Sequence, residues 1–367
     1  MNNISITDIL KLCFVPQFSY RKIKNLVNYF KDTSLIFKAT YNELIKIDSI
    51  NDKSAKILKE FDFSSVQDKV DEQLNLIEKF NVNVISFWDN NYPNNLKNIS
   101  YPPVLLFTRG DVSLLKNNSV AVIGTRTPTK YGEESAQYFA ANLVKAGLAV
   151  TSGLAYGIDT IAHRSAIAEK GKTISVFGTG INVIYPKENS KLVDSILEDG
   201  LIVSEYLMNT TPIAQNFPAR NRIIAGLSLA ILLIESGSKG GGMITAKFAL
   251  DQAKFVFAVP GNINSSKSKG TNLLIKNSEA QLVQSIDDIL VELNLCPVSQ
   301  NAPKKDLSKL SQSEKKVMSI ISIDPVHVDK ISDETGLDPS ETLVTLLGLE
   351  LESLIRKLPG NFYQIVE

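Results

Sequence analysis

The sequence predicts an α/β protein whose core is an extended Rossmann-like parallel sheet, with a small helical domain before it and a winged-helix-like domain after it. Three observations carry this. From Ser119 to Ala280 short apolar runs alternate with helix-length amphipathic segments, the sequence form of repeated βα units. Ahead of them, Ile6 to Phe61 keeps a helical period throughout. Beyond a polar stretch, three short helices and a terminal strand pair close the chain.

In the first segment Ile23, Leu26, Val27 and Phe30 share one helical face, and Leu44, Ile45, Ile47 and Ile50 share another. Glu43 to Glu60 reads as helix, turn at Ser49-Ile50-Asn51-Asp52, and helix. That pattern fits a helix-hairpin-helix or sterile-alpha-motif-like unit, or an ordinary packed helix pair, and no glycine marks the hairpin. Residues 1–80 are assigned to this domain. Residues 81–296 form the Rossmann domain, entered through Val82, Val84, Ile85, Phe87 and Trp88, the prolines Pro93, Pro102 and Pro103, and a strand at Val104 to Thr108. Trp88 is expected to pack in a core or domain interface.

Seven strands are expected next: Ser119 to Ile123, Leu148 to Thr151, Thr173 to Phe177, Leu201 to Glu205, Leu229 to Ile234, Phe255 to Val259 and Gln281 to Val283. Between them Glu133 to Ala146, Ile158 to Lys170, Asn189 to Asp199 and Ile244 to Lys254 have helical period. Such alternation gives a parallel sheet covered on both faces, with its βα loops on one edge. Polar residues at 297–309 mark a linker. Residues 310–367 then give helices at Ser313 to Ile323, Val328 to Thr335 and Ser340 to Leu354, with Gly336 in the turn and a strand at Asn361 to Val366. The third helix carries Glu341, Glu350 and Glu352 and has no lysine or arginine before Arg356. An acidic helix suits phosphate proximity poorly, so a protein-interaction role is expected for this domain.

Lysine plus arginine equals aspartate plus glutamate at 39 each, so attraction for a polyanion has to come from local clustering. No stretch approaches the roughly 18 apolar residues of a membrane span, and Met1 to Leu10 has no basic n-region. Cys13 and Cys296 lie far apart without metal-site spacing. A cytoplasmic protein without a membrane span is expected.

The loops exclude several chemistries. Gly124-Thr125-Arg126 follows a strand, but Arg126 and Thr129 stand where the dinucleotide fingerprint needs glycines, and Thr151-Ser152 ends the next strand where a ribose-binding carboxylate is required. No nicotinamide or flavin cofactor is expected. Gly171-Lys172-Thr173 precedes a strand instead of following one, so it is not a P-loop. There is no Gly-x-Ser-x-Gly, His-Glu-x-x-His or Cys-x-x-Cys, and the chain has only 2 histidines, which leaves metal catalysis without ligands. Asp159 and His163 lie about one turn apart; they form an acid/base pair, or Asp159 anchors the Gly157 turn and His163 is structural.

What the loops favour is an anionic polymer. Phe217-Pro218-Ala219-Arg220-Asn221-Arg222 precedes a helix expected at Ile223 to Leu227. Its guanidiniums suit phosphate oxygens, or Arg220 pairs with Glu205 or Glu235; Phe217 stacks on a base or packs in the core. Gly240-Gly241-Gly242 opens another helix, where bare backbone donors can meet a phosphate. Lys130, Lys187, Lys239, Lys267 and Lys269 lie on the same expected edge, some beside tyrosines. Lysines interleaved with aromatics suit a single-stranded nucleic-acid path better than a closed small-molecule pocket.

These segments resemble a known family. Val120-Ala121-Val122-Ile123-Gly124-Thr125-Arg126, Ser152-Gly153-Leu154-Ala155-Tyr156-Gly157-Ile158-Asp159 with Ala162-His163, Tyr185-Pro186, Ser204-Glu205, Phe217 through Ser228, Thr245-Ala246 and Val259-Pro260-Gly261 occur in the order and spacing of the DNA-processing protein A (DprA, or Smf) family, from about Tyr92 to Leu290. The resemblance implies a protein of natural transformation that binds and protects incoming single-stranded DNA and loads the RecA recombinase, without catalysis, cofactor or metal. It also implies a homodimer formed through the Rossmann domain. Carried onto this chain, the DNA contacts include Arg126, Ser152, Gly153, Phe217, Arg220, Asn221 and Arg222; the loop reading adds Gly124, Lys130, Lys239, Gly240, Gly241 and Gly242. Gly240 and Gly242 stand where serine is frequent in the family, which keeps the backbone donors and removes hydroxyls. The competing expectation is a nucleotide hydrolase like the lysine-decarboxylase-like phosphoribohydrolases. Those need a glutamate just after the glycine-rich loop, where this chain has Ile244-Thr245-Ala246-Lys247.

Overall fold

The computed structural model describes residues 3–295, 310–322, 326–351, 354–358 and 360–365. The chain divides into two compact units, Met1–Pro297 and Val298–Glu367. The expected linker at 297–309 lies outside the described residues, as does Cys296.

In the first unit nine strands make one sheet: β1 (Asn83–Ser86), β2 (Leu105–Gly110), β3 (Ser119–Ile123), β4 (Ala149–Ser152), β5 (Thr173–Val176), β6 (Leu201–Ser204), β7 (Ala230–Leu233), β8 (Phe255–Ala258) and β9 (Gln281–Leu282). Their spatial order is β1-β2-β6-β5-β4-β3-β7-β8-β9. Neighbours from β6 through β9 pair parallel, whereas β2 is antiparallel to β6 and β1 to β2. Each strand expected between Ser119 and Val283 forms with its ends shifted by at most one residue. β3 to β7 are buried along their whole length, because helices cover both faces. Lys130–Lys145 and Ile158–Ala168 cover one with Phe139, Ala140 and Ala162; Asn216–Leu227 and Gly241–Asp251 cover the other with Ile223, Ile224 and Ala249.

Two helices start earlier than their apolar period suggested. One expected at Ile223 begins at Asn216, since Pro218 falls in the first turn, where the missing N–H has no intrahelical partner to lose. The other, expected at Ile244, begins at Gly241.

The N-terminal helices are not separated from the sheet. Ile9, Leu10, Ile23, Leu26 and Leu58 form one apolar cluster with Val104, Phe107, Leu154 and Ile202. Tyr20 Oη donates to the Glu205 carbonyl at 3.1 Å, and Trp88 Nε1 donates to Asn28 Oδ1 at 2.7 Å. Residues 1–80, expected as a domain of their own, thus share a continuous core with the strands.

The second unit has helices Gln312–Ile320, Val328–Thr335 and Pro339–Leu351 and strands β10 (Val326–His327), β11 (Ile355–Leu358) and β12 (Phe362–Ile365), paired antiparallel in the order β10-β12-β11. Gly336, at φ +69°, ends the middle helix in the left-handed region. The third helix is unusual in what it buries. Thr342, Thr345, Leu346 and Leu349 face inward, the threonine hydroxyls donating to the carbonyls of Asp338 and Glu341, while Leu343, Val344 and Leu347 are 49%, 71% and 57% exposed.

Candidate functional site

From β3 the chain adds β4, β5 and β6 on one side, then crosses over to add β7, β8 and β9 on the other. The loops leaving β3 and β7 therefore diverge, and the crevice between them is where open α/β sheets bind ligands. A pocket of about 630 Å³ lies there, lined by Ile123 to Arg126, Ala155, Asp159, Tyr185, Phe217, Arg220, Asn221 and a stretch from Ser236 to Thr245 that includes all three glycines.

Backbone bonds fix the first wall. Thr125 N donates to the Glu235 carbonyl at 2.8 Å, and the Thr125 carbonyl accepts from Ile158 N at 3.2 Å. Glu235, buried, accepts from Thr129 N at 2.9 Å and Thr129 Oγ1 at 2.5 Å. Gly157, at φ +74°, approaches so closely that a Cβ there would lie 2.5 Å from the Thr125 carbonyl oxygen, so only glycine fits. Arg126 projects from this braced loop and makes no hydrogen bond or ion pair among the described residues. Lys267 Nζ braces the loop from outside, donating to the hydroxyls of Thr125 and Thr127.

Opposite stands the N-terminus of Gly241–Asp251, capped by Gly240 without a side-chain bond. A Cβ on Gly241 would meet nothing within 4 Å. The Gly241 and Gly242 amides make no hydrogen bond among the described residues, while Met243 N donates to the Gly240 carbonyl at 3.1 Å; the two free amides, with the helix dipole, offer an anion a ready seat.

Residues 83–294 match the family model described as DNA recombination-mediator protein A, and residues 301–361 match the DprA winged helix domain. The chain belongs to the DprA/Smf family. It is 34% identical over 303 residues to Protein Smf of Escherichia coli, spanning 81% of each chain. To DNA processing protein DprA of Streptococcus pneumoniae it is 44% identical over 207 residues, 56% of this chain and 73% of that one. The X-ray structure of DprA from Streptococcus pneumoniae superposes with a TM-score of 0.66 at 34% identity, covering 79% of this chain and 98% of that one. DNA processing protein A from Helicobacter pylori, a structure described for its single-stranded DNA binding mode, superposes with a TM-score of 0.54 at 33% identity, covering 59% of this chain and 96% of that one.

In this DprA-family chain the pocket gathers Gly124, Arg126, Phe217, Arg220, Asn221 and the triple glycine from the expected set, and leaves the others out. Phe217 serves both readings. Its ring packs over Gly178 and tilts against Tyr185 at 5.2 Å between centroids, yet it stays half-buried and lines the pocket. Arg220 is 4% exposed and spends donors on the carbonyls of Gly153, at 2.9 Å, and Val176. Burial lowers its pKa to about 10, so it remains a fixed positive charge behind the pocket wall.

Five expected contacts are placed elsewhere. Arg222 is corrected outright: its guanidinium holds Glu205 in a bidentate pair, 2.5 Å from Nη1 to Oε1 and 2.6 Å from Nη2 to Oε2, and Nε donates to the Tyr101 carbonyl. Glu205 and not a phosphate is its partner, and the pair is buried. Ser152 is fully buried with Oγ donating to the Val122 carbonyl at 2.7 Å. Gly153 sits behind Arg220 and donates its amide to Asp159. Lys130 is exposed, 3.8 Å from Glu134, and lies outside the pocket; so does exposed Lys239. Sequence reasoning missed Ser236 and the grip of Lys267 on the Thr125 loop, and it treated Thr245 only as part of a motif.

Asp159 and His163 are not partners. Asp159 accepts the amides of Gly153 at 3.1 Å and Ala155 at 3.4 Å, and burial raises its pKa. His163 Nδ1 lies 2.7 Å from Thr173 Oγ1, whose proton goes to the Val150 carbonyl; Nδ1 therefore carries the ring proton, and Nε2 is buried without a partner. Burial holds the imidazole neutral, lowering its pKa from 6.5 to about 3. Between those values the unfolded chain binds the extra proton, so this group's contribution to stability is complete above pH 6.5. It falls by about 1.4 kcal/mol per unit below that. Urea midpoints between pH 4 and 7 should drop less steeply in His163→Gln than in the parent; parallel curves would show the histidine to be solvated.

Among the described residues no group of three or more His, Cys, Asp or Glu is placed to hold a metal, and no helix is long and apolar enough to cross a membrane.

Proposed function

We propose that the chain binds single-stranded DNA in the crevice between β3 and β7 and acts in DNA processing during transformation, as a binding protein without chemistry on the strand. One observation carries this reading: the partnerless Arg126 guanidinium and a helix N-terminus without a side-chain cap line a single pocket that also holds the half-exposed rings of Phe217 and Tyr185. Phosphate seats beside aromatic faces are what a single strand requires. The family relatives named as DNA processing proteins, and the Helicobacter pylori structure described for single-stranded DNA binding, support it.

The finer reading is a cytoplasmic homodimer formed through the Rossmann unit that protects the strand and loads RecA. The dimer is supported by the open edge at β9, where Leu282 and neighbouring Phe255 are exposed; RecA loading rests on the family resemblance. For the second unit we propose a protein partner, because the third helix presents aliphatic side chains and Glu341 where a DNA reader presents basic ones. No carboxylate follows the triple glycine in the first turn from Gly241 to Thr245, so nothing there supplies the acid of a phosphoribohydrolase.

Fluorescence anisotropy of labelled single- and double-stranded oligonucleotides at two salt concentrations, with free nucleotides as competitors, tests the reading. The expected result is salt-sensitive preference for the single strand, weakened by about 1 to 3 kcal/mol in Phe217→Ala. Tight capture or hydrolysis of a free nucleotide without DNA binding would replace it with the hydrolase class.

A further inference from the structure

Beside the pocket, on the far side of Arg126, lies a second concavity of about 540 Å³. Its position is tied to the first. The Tyr156-Gly157 turn packs on the Thr125-Arg126 backbone, so Arg126 stands on the saddle between the two and lines both. The floor is built: Asn189, 3% exposed, donates to the Leu154 carbonyl at 3.0 Å and to Thr160 Oγ1 at 2.9 Å, and Thr160 Oγ1 donates to the Ala155 carbonyl at 2.7 Å. Tyr156 leaves a ring 42% exposed, its hydroxyl tethered to Glu188 at 2.6 Å. Arg164, exposed on the Ile158–Ala168 helix, lines the concavity and makes no hydrogen bond or ion pair among the described residues.

We propose that this concavity is a second nucleotide subsite, in which a phosphodiester lies between Arg126 and Arg164 and its base rests on Tyr156. The inference builds on the single-stranded DNA reading of the neighbouring pocket and extends the strand's path across the saddle. Ring, guanidinium, ring, guanidinium is the sequence of stations that Phe217, Arg126, Tyr156 and Arg164 present, and it matches the alternation of base and phosphate along a single strand. Two carboxylates also line the concavity. Glu188 is engaged by the Tyr156 hydroxyl, and Glu133 is exposed in the first turn of the Lys130–Lys145 helix. Neither pairs with Arg126 or Arg164 among the described residues, so both guanidiniums stay open to a phosphate.

The test is anisotropy of the full chain with labelled oligo(dT) over a salt series, comparing Arg164→Ala, Arg164→Lys and Lys145→Ala. Lys145 sits in the last turn of the Lys130–Lys145 helix, paired with Glu169, so its loss removes the same charge remote from the loops. The expected result for Arg164→Ala is binding about tenfold weaker, with the salt slope lowered by ~0.7. Arg164→Lys should recover most of the slope, and Lys145→Ala should follow the parent. Equal losses in Arg164→Ala and Lys145→Ala would overturn the subsite in favour of a diffuse field. Parental affinity and slope in Arg164→Ala, with the parent binding oligo(dT) normally, would overturn it while leaving the first pocket standing. Absence of oligo(dT) binding by the parent would overturn both.

Discussion

Arg222→Ala is expected to destabilise the first unit by about 3–5 kcal/mol, because it strands a buried carboxylate. Glu205 is 3% exposed, and its side-chain oxygens are held by the two terminal nitrogens of Arg222. The Arg222 side chain is itself only 12% exposed, so solvent screens the pair little. Urea denaturation would show the loss as a lower midpoint, and Arg222→Met with Glu205→Leu should recover much of it, since an apolar pair of similar volume leaves no charge unpaired. If Arg222→Ala kept the parental midpoint and lost DNA affinity instead, the arginine would be a strand contact after all.

Gly241→Asp should do the opposite, weakening binding about a hundredfold while leaving the fold intact. A Cβ at Gly241 meets nothing within 4 Å and the backbone there needs no left-handed φ, so the side chain enters the pocket without strain. A carboxylate at the first residue of a helix also complements its dipole, a gain of about 0.3–1 kcal/mol. In the pocket it occupies the anion seat and repels a phosphate; losing one charge-assisted contact and adding that repulsion comes to about 3 kcal/mol, a hundredfold or more in Kd. Gly241→Asn, of equal size and no charge, separates bulk from charge. Parental affinity in the aspartate variant, with a melting temperature no lower, would remove the triple glycine from the strand's path.

How much of this was legible in the sequence depended on how local the cause was. The strands from β3 to β7 were, because fully buried parallel strands must be apolar runs whatever surrounds them. The convergence of Gly124, Arg126 and the triple glycine followed from the parallel direction of the strands, which puts every βα loop on one edge of the sheet. The fates of Arg220 and Arg222 were not. In an assumed loop they form one cluster, but the helix begins at Asn216, and residues two apart on a helix do not face each other. Arg220 therefore turns toward the Gly153 and Val176 carbonyls and Arg222 toward Glu205. Pro218 hid the early start, since a proline reads as a breaker everywhere except in a first turn. Nor did the change to β-branched and aromatic residues after residue 81 reveal that the helices before it share a core with Phe107 and Ile202; that continuity exists only in three dimensions.

The seat at Gly241 is made of backbone amides, and the neighbouring charges are arginines. Both kinds of donor address phosphate, which every nucleotide carries, and neither reads the edge of a base. An opening built this way has no preferred text: a strand of any origin, coding anything, meets the same welcome, which is the indifference a protein needs if it must accept DNA whose sequence its own genome has never contained.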